Sequence, residues 1–330
     1  LTWNENTQDN AVPWNKSIAF ADTLIGYGVG DQGRIISTTN GGVDWVYATN
    51  TINRNFNKII CVNPQTYFAV GGDSTKQTII NTTDGGVNWN VLLDQPGPVL
   101  NSVYFFNAQN GIAVGDTGTI LTTTNGGTTW VPVTAPVNRD FKGIAFTDAN
   151  HGFIVGGNEA PNGYSTILKT LNGGATWTVL SDQVGGILND INFTDTNTGY
   201  VVGDSSLFIT TTNGGANWNR QNIAGTTGTE YFNAVKFYNT NFGIVAGKAG
   251  VVYTYLNYPA PDVTTTKVIL PGAADDTDRV VFGTANTHGL PGYFYAEYAL
   301  DTSFNTALVS YTVNVNNTSA DTLGVFIGPL

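Results

Sequence analysis

The stretch Thr39-Asn40-Gly41-Gly42-Val43-Asp44-Trp45 recurs five times in this chain with small changes. Every copy, termed a box below, has Asn or Asp, two glycines and a tryptophan three residues later. The boxes carry Asn40 and Trp45, Asp84 and Trp89, Asn125 and Trp130, Asn172 and Trp177, and Asn213 and Trp218. Successive tryptophans lie 44, 41, 47 and 41 residues apart. A repeat of this length that is rich in turn residues is typical of a β-propeller.

The chemistry of the box explains most of its residues without a ligand. Asn or Asp followed by Gly-Gly provides the positive φ angles and local hydrogen bonds of a tight hairpin turn. The tryptophan is predicted to lie early on the returning strand, where its ring can wedge between neighbouring sheets. We therefore interpret the ten box residues as structural.

The rest of each repeat predicts three further strands. An opening strand ends in an aromatic residue in five of the six copies, as in Ile18-Ala19-Phe20, and Cys61 stands at this place in the second copy. A small, apolar second strand ends in glycine, as in Ala113-Val114-Gly115, and is predicted to lie near the central axis. A third strand such as Thr119–Thr123 leads into the box. No helical periodicity is present.

The repeats predict six blades over residues 1–258. The sixth copy, residues 232–258, has no box, but Leu1-Thr2-Trp3 resembles the residues that follow Gly-Gly elsewhere. We expect this N-terminal segment to complete blade six and close the ring, which removes free sheet edges.

Composition limits the classes of partner. The chain has 13 Lys and Arg against 24 Asp and Glu, a net charge of −11, which argues against nucleic acid and anionic membranes. No apolar run is long enough for a membrane span. Few charged residues, a single cysteine and a start at Leu1 without methionine favour an extracellular or cell-surface protein whose signal peptide has been removed. Cys61 is interpreted as a small buried hydrophobic residue.

Residues 259–330 form a second predicted domain after the linker Pro259-Ala260-Pro261. The predicted strands are residues 266–270, 279–285, 293–298 and 323–327. Together they are similar to bacterial fibronectin type III β-sandwiches, which usually continue for two more strands. Two interpretations stay open. Either the chain is truncated at Leu330, or the sandwich is incomplete and its open edge accepts a strand from a neighbouring subunit.

The boxes resemble the Asp-box, or BNR, repeats of sialidase-like propellers, and the whole of residues 1–258 looks most like propellers of the photosystem II assembly-factor type. The resemblance implies the fold and places the boxes away from the usual ligand face. A sialidase would need three arginines, a Tyr–Glu pair and an acidic residue. Glu230-Tyr231 and two arginines match this only in part, and the Arg-Ile-Pro motif is missing.

The opposite face, termed the mouth, is predicted to carry the ligand-binding residues. These candidates are Trp14, Arg54, Arg139, Glu230, Tyr231, Asp31, Asp73, Asp116 and Asp204, with Asn158 and Lys248 at positions that match the aspartates. The aspartates follow the glycine of each second strand, and turn capping explains them better than a metal site. Both histidines, His151 and His288, are isolated, so we expect no metal and no cofactor.

We therefore expect a non-enzymatic extracellular protein that binds a protein or glycan at the mouth, or serves in adhesion or structural assembly. A glycoside hydrolase that uses mouth carboxylates is the alternative. A filament subunit joined through the C-terminal module is a third interpretation. Specificity is expected in the loops at residues 158–164 and 223–230. Glycosylation sequons begin at Asn15, Asn81, Asn192, Asn316 and Asn317.

Overall fold

A computed structural model describes residues 15–48, 52–158, 163–248 and 251–256, and the backbone of four strands further along the chain. The chain divides into two compact units, Leu1–Leu256 and Asn257–Leu330. The described residues of the first unit are strands joined by turns, with short 3₁₀ turns at Asp31–Gly33 and Asp116–Gly118. Within the described residues, no helix has the length and apolar character needed to cross a bilayer.

Six antiparallel sheets, the blades, follow one another along the first unit and confirm the six-bladed propeller. Blade one has β1 (Asn15–Phe20), β2 (Gly26–Gly30), β3 (Ile35–Thr38) and β4 (Val46–Tyr47), and blade two has β5 (Asn55–Asn63), β6 (Thr66–Gly72), β7 (Lys76–Thr82) and β8 (Asn90–Pro96). Blade three has β9 (Leu100–Phe105), β10 (Gly111–Gly115), β11 (Ile120–Thr123) and β12 (Val131–Pro132), and blade four has β13 (Asp140–Phe146), β14 (Gly152–Asn158), β15 (Tyr164–Thr170) and β16 (Thr178–Val184). Blade five has β17 (Leu188–Phe193), β18 (Gly199–Gly203), β19 (Leu207–Thr211) and β20 (Asn219–Gln221), and blade six has β21 (Phe232–Asn239), β22 (Phe242–Gly247) and β23 (Val252–Leu256).

The first strand of each blade lines the central axis, because β1, β5, β9, β13, β17 and β21 pack against one another in turn. The small second strand, predicted to lie near the axis, is the next strand outward in each blade. Its terminal glycine has another cause. A Cβ at Gly156 would collide with the backbone carbonyl oxygen of Asp140 on the adjacent first strand. The glycine allows β13 and β14 to approach each other closely.

The boxes form the hairpin turns that the sequence predicts. In blade three the Thr123 hydroxyl accepts the N–H of Gly127 at 2.9 Å, and Asn125 Oδ1 accepts the N–H of Thr129 at 3.0 Å. Gly126 and Gly127 both have positive φ. One detail differs from the prediction, because Trp130 directly precedes the returning strand β12 instead of lying on it.

The box tryptophans wedge between blades, as predicted. The Trp218 ring of blade five lies edge-on to Phe153 of blade four and to Phe193 of its own blade, with ring centroids 5.9 Å apart in both pairs. The described residues form five hydrophobic clusters, and each joins two successive blades. The core of the protein is thus a series of interfaces between blades.

In the second unit the structure describes two antiparallel strand pairs. They are β24 (Val263–Lys267) with β25 (Val281–Ala285), and β26 (Gly292–Tyr298) with β27 (Val309–Val315). The predicted strand at 266–270 overlaps the end of β24, and its residues 268–270 lie outside the described residues, whereas β27 was not predicted. The predicted strand at 323–327 lies outside the described residues. A fibronectin type III-like sandwich, and its use in self-association, stay predictions.

Other predictions also fall on residues outside those described. They are the pairing of Leu1-Thr2-Trp3 with blade six, the mouth position of Trp14, the middle of the loop at residues 158–164, His288, and the sequons at Asn316 and Asn317. Of Asn15 only the backbone is described. The asparagines of two other sequons lie within strands of the blades. Asn81 is 7% exposed, and Asn192 Oδ1 accepts the Phe237 N–H at 2.7 Å. Burial of Asn81 argues against a glycan there.

Candidate functional site

The mouth is built from two sets of loops that hydrogen-bond to each other. Gly33, Gly118 and Ser206, in loops between second and third strands, donate backbone N–H groups to the carbonyl oxygens of Arg54, Arg139 and Glu230. These three acceptors precede the first strands of blades two, four and six. The structure therefore places Arg54, Arg139 and Glu230 at equivalent positions on one face, together with the loops that contain Asp31, Asp73, Asp116, Asp204 and Lys248.

A β-bulge at the start of each first strand aims one polar side chain toward the mouth. The register shifts between Phe141 and Gly143 in blade four, and the corresponding shift occurs in the other five blades. The bulged residues, termed the bulge ring, are Lys16, Asn57, Asn101, Lys142, Asn189 and Asn233. Bulges commonly redirect a side chain next to a functional site. Sequence reasoning missed this ring, although an Asn or Lys recurs at the second or third position of every first strand.

The bulge ring ties neighbouring blades together. Asn101 Nδ2 donates to the Phe141 carbonyl of blade four at 2.9 Å and to Asp116 Oδ1 at 2.7 Å. Asn189 makes the corresponding bonds, at 2.9 Å to the Phe232 carbonyl and at 2.8 Å to Asp204 Oδ1. The bonds to the Phe141 and Phe232 carbonyls join a first strand to the next blade, and those to Asp116 and Asp204 join it to a mouth loop of its own blade.

The predicted turn-capping role describes only one of the four mouth aspartates. Asp73 Oδ1 accepts the N–H groups of Thr75 and Lys76 at 2.8 and 3.1 Å. Asp31 instead pairs with Lys16 at 2.6 Å, and Asp116 with Lys142 at 2.7 Å. As described above, Asp204 accepts from the bulge ring. The aspartates thus serve mainly as acceptors for the bulge ring. Among the described residues, no group of three or more His, Cys, Asp or Glu is arranged to hold a metal.

A charge cluster at blade two brings in a residue that the sequence did not indicate. Arg54 Nε lies 3.1 Å from Asp94 Oδ1 and its Nη1 lies 3.5 Å from Asp73 Oδ2. Asp94 also accepts from Lys76 Nζ at 2.9 Å and from Thr78 Oγ1 at 2.9 Å. The Arg54 guanidinium and then the Lys76 ammonium hold the pKa of Asp94 at about 2. Asp94 therefore keeps two cations oriented at the mouth.

We expect the free energy of unfolding of the Asp94→Asn variant to fall less than that of the unmodified protein as the pH is lowered from 4 to 2. The pKa of Asp94 in the folded protein lies below the usual unfolded value of about 3.9, so its contribution is complete above pH 4 and is lost as the pH falls toward 2. For a partly exposed pair we expect a loss of about 1 kcal/mol at neutral pH. Urea unfolding of both proteins between pH 2 and 7 measures this. The prediction would be contradicted if both proteins lost the same free energy of unfolding between pH 4 and 2.

Three mouth cations lie over aromatic rings. The Arg34 guanidinium is 4.7 Å from the centre of the Tyr47 ring, and the Arg139 guanidinium is 4.3 Å from that of Tyr164. Lys248 Nζ lies 4.2 Å from the centre of the Tyr231 ring. Stacking of this kind orients a cation. These pairs lie in blades one, four and six, so they are spread around the mouth.

The residues that resemble a sialidase pair have separate roles. The Glu230 carboxylate accepts from the Ser206 hydroxyl and from the N–H of Thr227 at 2.7 Å. The Ser206 hydroxyl and then the Thr227 N–H hold the pKa of Glu230 at about 2. This carboxylate anchors its own loop, whereas the ring of Tyr231 lies beneath Lys248.

An ion pair crosses the central axis below the mouth. Lys58 Nζ of blade two lies 3.5 Å from Asp190 Oδ1 of blade five, across the ring. The second oxygen, Asp190 Oδ2, accepts the N–H of Val235 in blade six at 3.0 Å. The pair therefore links opposite sides of the ring across its axis.

The box face is acidic. Boxes bond to the loops between first and second strands, as when Gly41 N–H donates to Leu24 O. These loops and boxes carry Asp22, Asp44, Asp84, Asp148 and Asp195, and they contain no Lys or Arg. Asp148 pairs with His151 at 2.7 Å. Cys61 lies beside this face. The sequence predicted that it is buried, but the structure shows that it is only partly buried. This partial burial raises the pKa of its thiol.

Comparisons with known proteins indicate the same propeller fold that the structure shows. Residues 177–257 match the family model of photosynthesis system II assembly factor YCF48. That match covers about a quarter of the chain. No curated protein matches the sequence significantly.

Solved structures share the propeller fold. A structure described as YCF48 bound to a D1 peptide superposes with a TM-score of 0.52 at 16% identity, covering 78% of this chain and 99% of that one. YCF48 from Cyanidioschyzon merolae gives 0.56 at 19% identity, covering 72% and 79%. The Niastella koreensis GH74 enzyme gives 0.58 at 14% identity, covering 92% and 60%. At these identities the likeness shows the fold alone.

Proposed function

We propose that this chain is a non-enzymatic binding module that holds an extended segment of another protein on its mouth. The observation that carries the proposal is the concentration of basic residues there. Of the basic residues in the propeller, those in mouth loops or at the mouth ends of strands are Lys16, Arg34, Arg54, Lys76, Arg139, Lys142, Arg220 and Lys248. Four of them, Lys16, Arg54, Lys76 and Lys142, are paired with aspartates there. Arginines and tyrosines arranged in this way are enriched in protein-binding surfaces.

The contrast between the two faces indicates the chemistry of the partner. The loops of the box face have five carboxylates and neither Lys nor Arg, within a chain of net charge −11. An acidic segment would be repelled there and attracted to cations such as Arg139 and Lys248 at the mouth. Complementary charge of this kind orients a partner and accelerates its association.

A solved structure of the same fold supports a protein partner, because it is described as YCF48 bound to a D1 peptide. Extending that mode of binding to this chain, we infer a role in the assembly of a protein complex. A glycan at the mouth, an adhesive role and a filament role stay predictions. So does the extracellular location.

A glycoside hydrolase is the alternative, and GH74 enzymes share the fold. Such an enzyme needs a general acid whose pKa is raised, so that it is protonated when the glycosidic bond breaks. Two mouth carboxylates, Asp94 and Glu230, have pKa values of about 2 because of their cation and hydroxyl partners. The hydrogen bonds of Asp73 from Thr75 also lower its pKa. These three carboxylates are therefore poor proton donors near neutral pH.

Fluorescence anisotropy with two labelled peptides of equal length tests the proposal. One peptide carries glutamates and a free C-terminal carboxylate, and the other carries glutamines and an amidated end. We expect the acidic peptide to bind more tightly than the neutral one, and we expect its affinity to fall when salt is added. Arg139→Ala is expected to reduce that affinity about tenfold, a loss of about 1.4 kcal/mol.

Lys236→Ala provides the matched control, because Lys236 is exposed on β21 near its box end. The affinity of the Lys236→Ala variant for the acidic peptide is expected to equal that of the unmodified protein. Equal binding of both peptides, or equal losses in the Arg139 and Lys236 variants, would refute a mouth site for acidic segments. Release of reducing sugar from soluble β-glucans by the same protein would establish the enzyme instead.

A further inference from the structure

A set of hydrogen-bond donors at the mouth, between blades five and six, surrounds one carboxylate. Glu230 Oε1 accepts the N–H and the hydroxyl of Thr227 at 2.7 and 2.9 Å. Glu230 Oε2 accepts the N–H of Gly228 at 3.1 Å, that of Thr229 at 3.2 Å and the Ser206 hydroxyl. Successive backbone N–H groups of this kind form concave anion sites. These donors are termed the nest below, and the side chain that fills it belongs to the protein itself.

The carboxylate is not needed to join the two loops that form the nest. The backbone N–H of Ser206 donates to the carbonyl of Glu230, and the equivalent bonds in blades two and four are made to the carbonyls of Arg54 and Arg139. There the side chain at this position is a guanidinium, so the junction of the loops does not depend on a carboxylate. At blade six the carboxylate adds a feature that the junction itself does not require.

Ser206 departs from the repeat in a way that supplies a donor. Gly33 and Gly118 hold the equivalent place in blades one and three, with φ of +76° and +77°. Ser206 keeps this left-handed conformation, with φ of +55°, although a side chain is strained there. It is 7% exposed, and its hydroxyl donates to Glu230. Backbone strain that places one buried hydroxyl indicates a binding site.

The loop that supplies the N–H groups is an insertion in the repeat. Trp218 precedes the bulge-ring residue of the next blade by 15 positions, whereas the other four box tryptophans precede theirs by 12. Residues 227–229 are exposed, and a Cβ at Gly228 would meet nothing within 4 Å. A ligand from solution can therefore reach the donors.

Two cations contact the residues next to the nest. Arg220 Nη2 donates to the Ser205 carbonyl at 3.5 Å. Lys248 Nζ lies 4.2 Å from the centre of the Tyr231 ring. Ser205 and Tyr231 directly adjoin the serine and the glutamate of the nest in the chain. The two positive charges attract an anionic segment to this part of the mouth.

We propose that the nest is a receptor for one carboxylate of the bound segment, and that Glu230 occupies it in the free protein. The inference rests on the proposed function, because it assigns the place of a partner carboxylate to a residue of this chain. Binding exchanges one carboxylate for another among the same donors, and the released Glu230 side chain turns to solvent. Glu230 thus competes with the partner and selects segments that bring a carboxylate of their own.

A small carboxylate tests the nest without any peptide. Glu230→Ala removes the internal occupant, and melting temperatures of the full chain are measured in sodium acetate and in sodium chloride at about 0.2 M each. We expect acetate to raise the melting temperature of this variant by about 2–4 °C more than that of the unmodified protein, because a bound ligand stabilises the folded state. The double variant Glu230→Ala with Ser206→Gly provides the matched control. It lacks the hydroxyl donor, has the glycine of the equivalent loops, and should lose most of the shift.

Peptide binding tests the exchange. The acidic peptide should bind Glu230→Ala about five to ten times more tightly than the unmodified protein, because no internal carboxylate competes. The double variant removes the same charge, so a gain caused by charge alone would persist in it, whereas we expect most of the gain to be lost. Two further peptides, one with glutamates and an amidated end and one with glutamines and a free C-terminus, show which carboxylate enters the nest.

Each outcome decides the proposal. The absence of an additional shift in acetate, or the same shift in the single and double variants, refutes the nest as a receptor. Equal gains of the two variants for the acidic peptide refute the exchange. If the unmodified protein binds the acidic and neutral peptides equally, the proposed function fails, and the acetate measurement still decides the nest by itself.

Discussion

Phe153→Ala is expected to lower the free energy of unfolding by about 3–5 kcal/mol. Phe153 is fully buried in β14 and joins blade four to blade five. Its ring stacks on Phe193 and meets the edge of Trp218, so truncation opens a cavity beneath a box tryptophan. Rings in such pairs contribute beyond their buried area. Urea unfolding monitored by tryptophan fluorescence measures the change.

Tyr238→Ala is the matched control, because Tyr238 is an aromatic residue that is 81% exposed. We expect it to change stability by no more than about 0.5 kcal/mol. If both variants lost similar stability, the interfaces between blades would not be the main core. Peptide binding should survive in Phe153→Ala under native conditions, since the mutated side chain lies below the mouth.

Gly156→Ala is expected to cost about 3 kcal/mol and also to weaken binding at the mouth. The new Cβ would collide with the carbonyl oxygen of Asp140, and it would lie 2.9 Å from the Cα atom of Phe141. Both are backbone atoms, so β13 must move, and overpacking of this kind destabilises. Arg139 directly precedes Asp140, so the displaced strand moves the guanidinium away from Tyr164. Thermal unfolding and peptide anisotropy measure the two effects.

Gly225→Ala separates steric collision from backbone strain. Gly225 has a φ of +85°, and a Cβ there meets nothing within 4 Å. This variant should cost about 1 kcal/mol through strain alone. If the two glycine variants were equally destabilised, the close approach of β13 and β14 would not be the cause.

Most of the fold could be predicted because each blade is a local unit. Turn residues such as Asn125-Gly126-Gly127 act within a few positions of one another, so the box hairpins follow from sequence. The matching places of Arg54 and Arg139 on one face follow from the same repeat. Which strand of a blade lies innermost did not follow from the repeat, because small residues indicate close approach of backbones without indicating which strand approaches.

The parts of the site that escaped prediction depend on residues far apart in the chain. Asp94 pairs with Arg54 across 40 positions, and Lys58 meets Asp190 across 132. Neither pair has a local signal, because each contact arises only when separate strands or blades come together.

By itself the sequence determined the number of blades, the box turns and the face on which the candidate residues lie, since these depend on short-range geometry repeated along the chain. Only the tertiary structure decided what the mouth aspartates bind. It showed that the bulges of the first strands place an Asn or Lys beside them, and that Asp94 and Glu230 are held ionised by their neighbours. The physical reason is that charge and hydrogen-bond partners depend on distance in space, which is set when the blades pack around the axis.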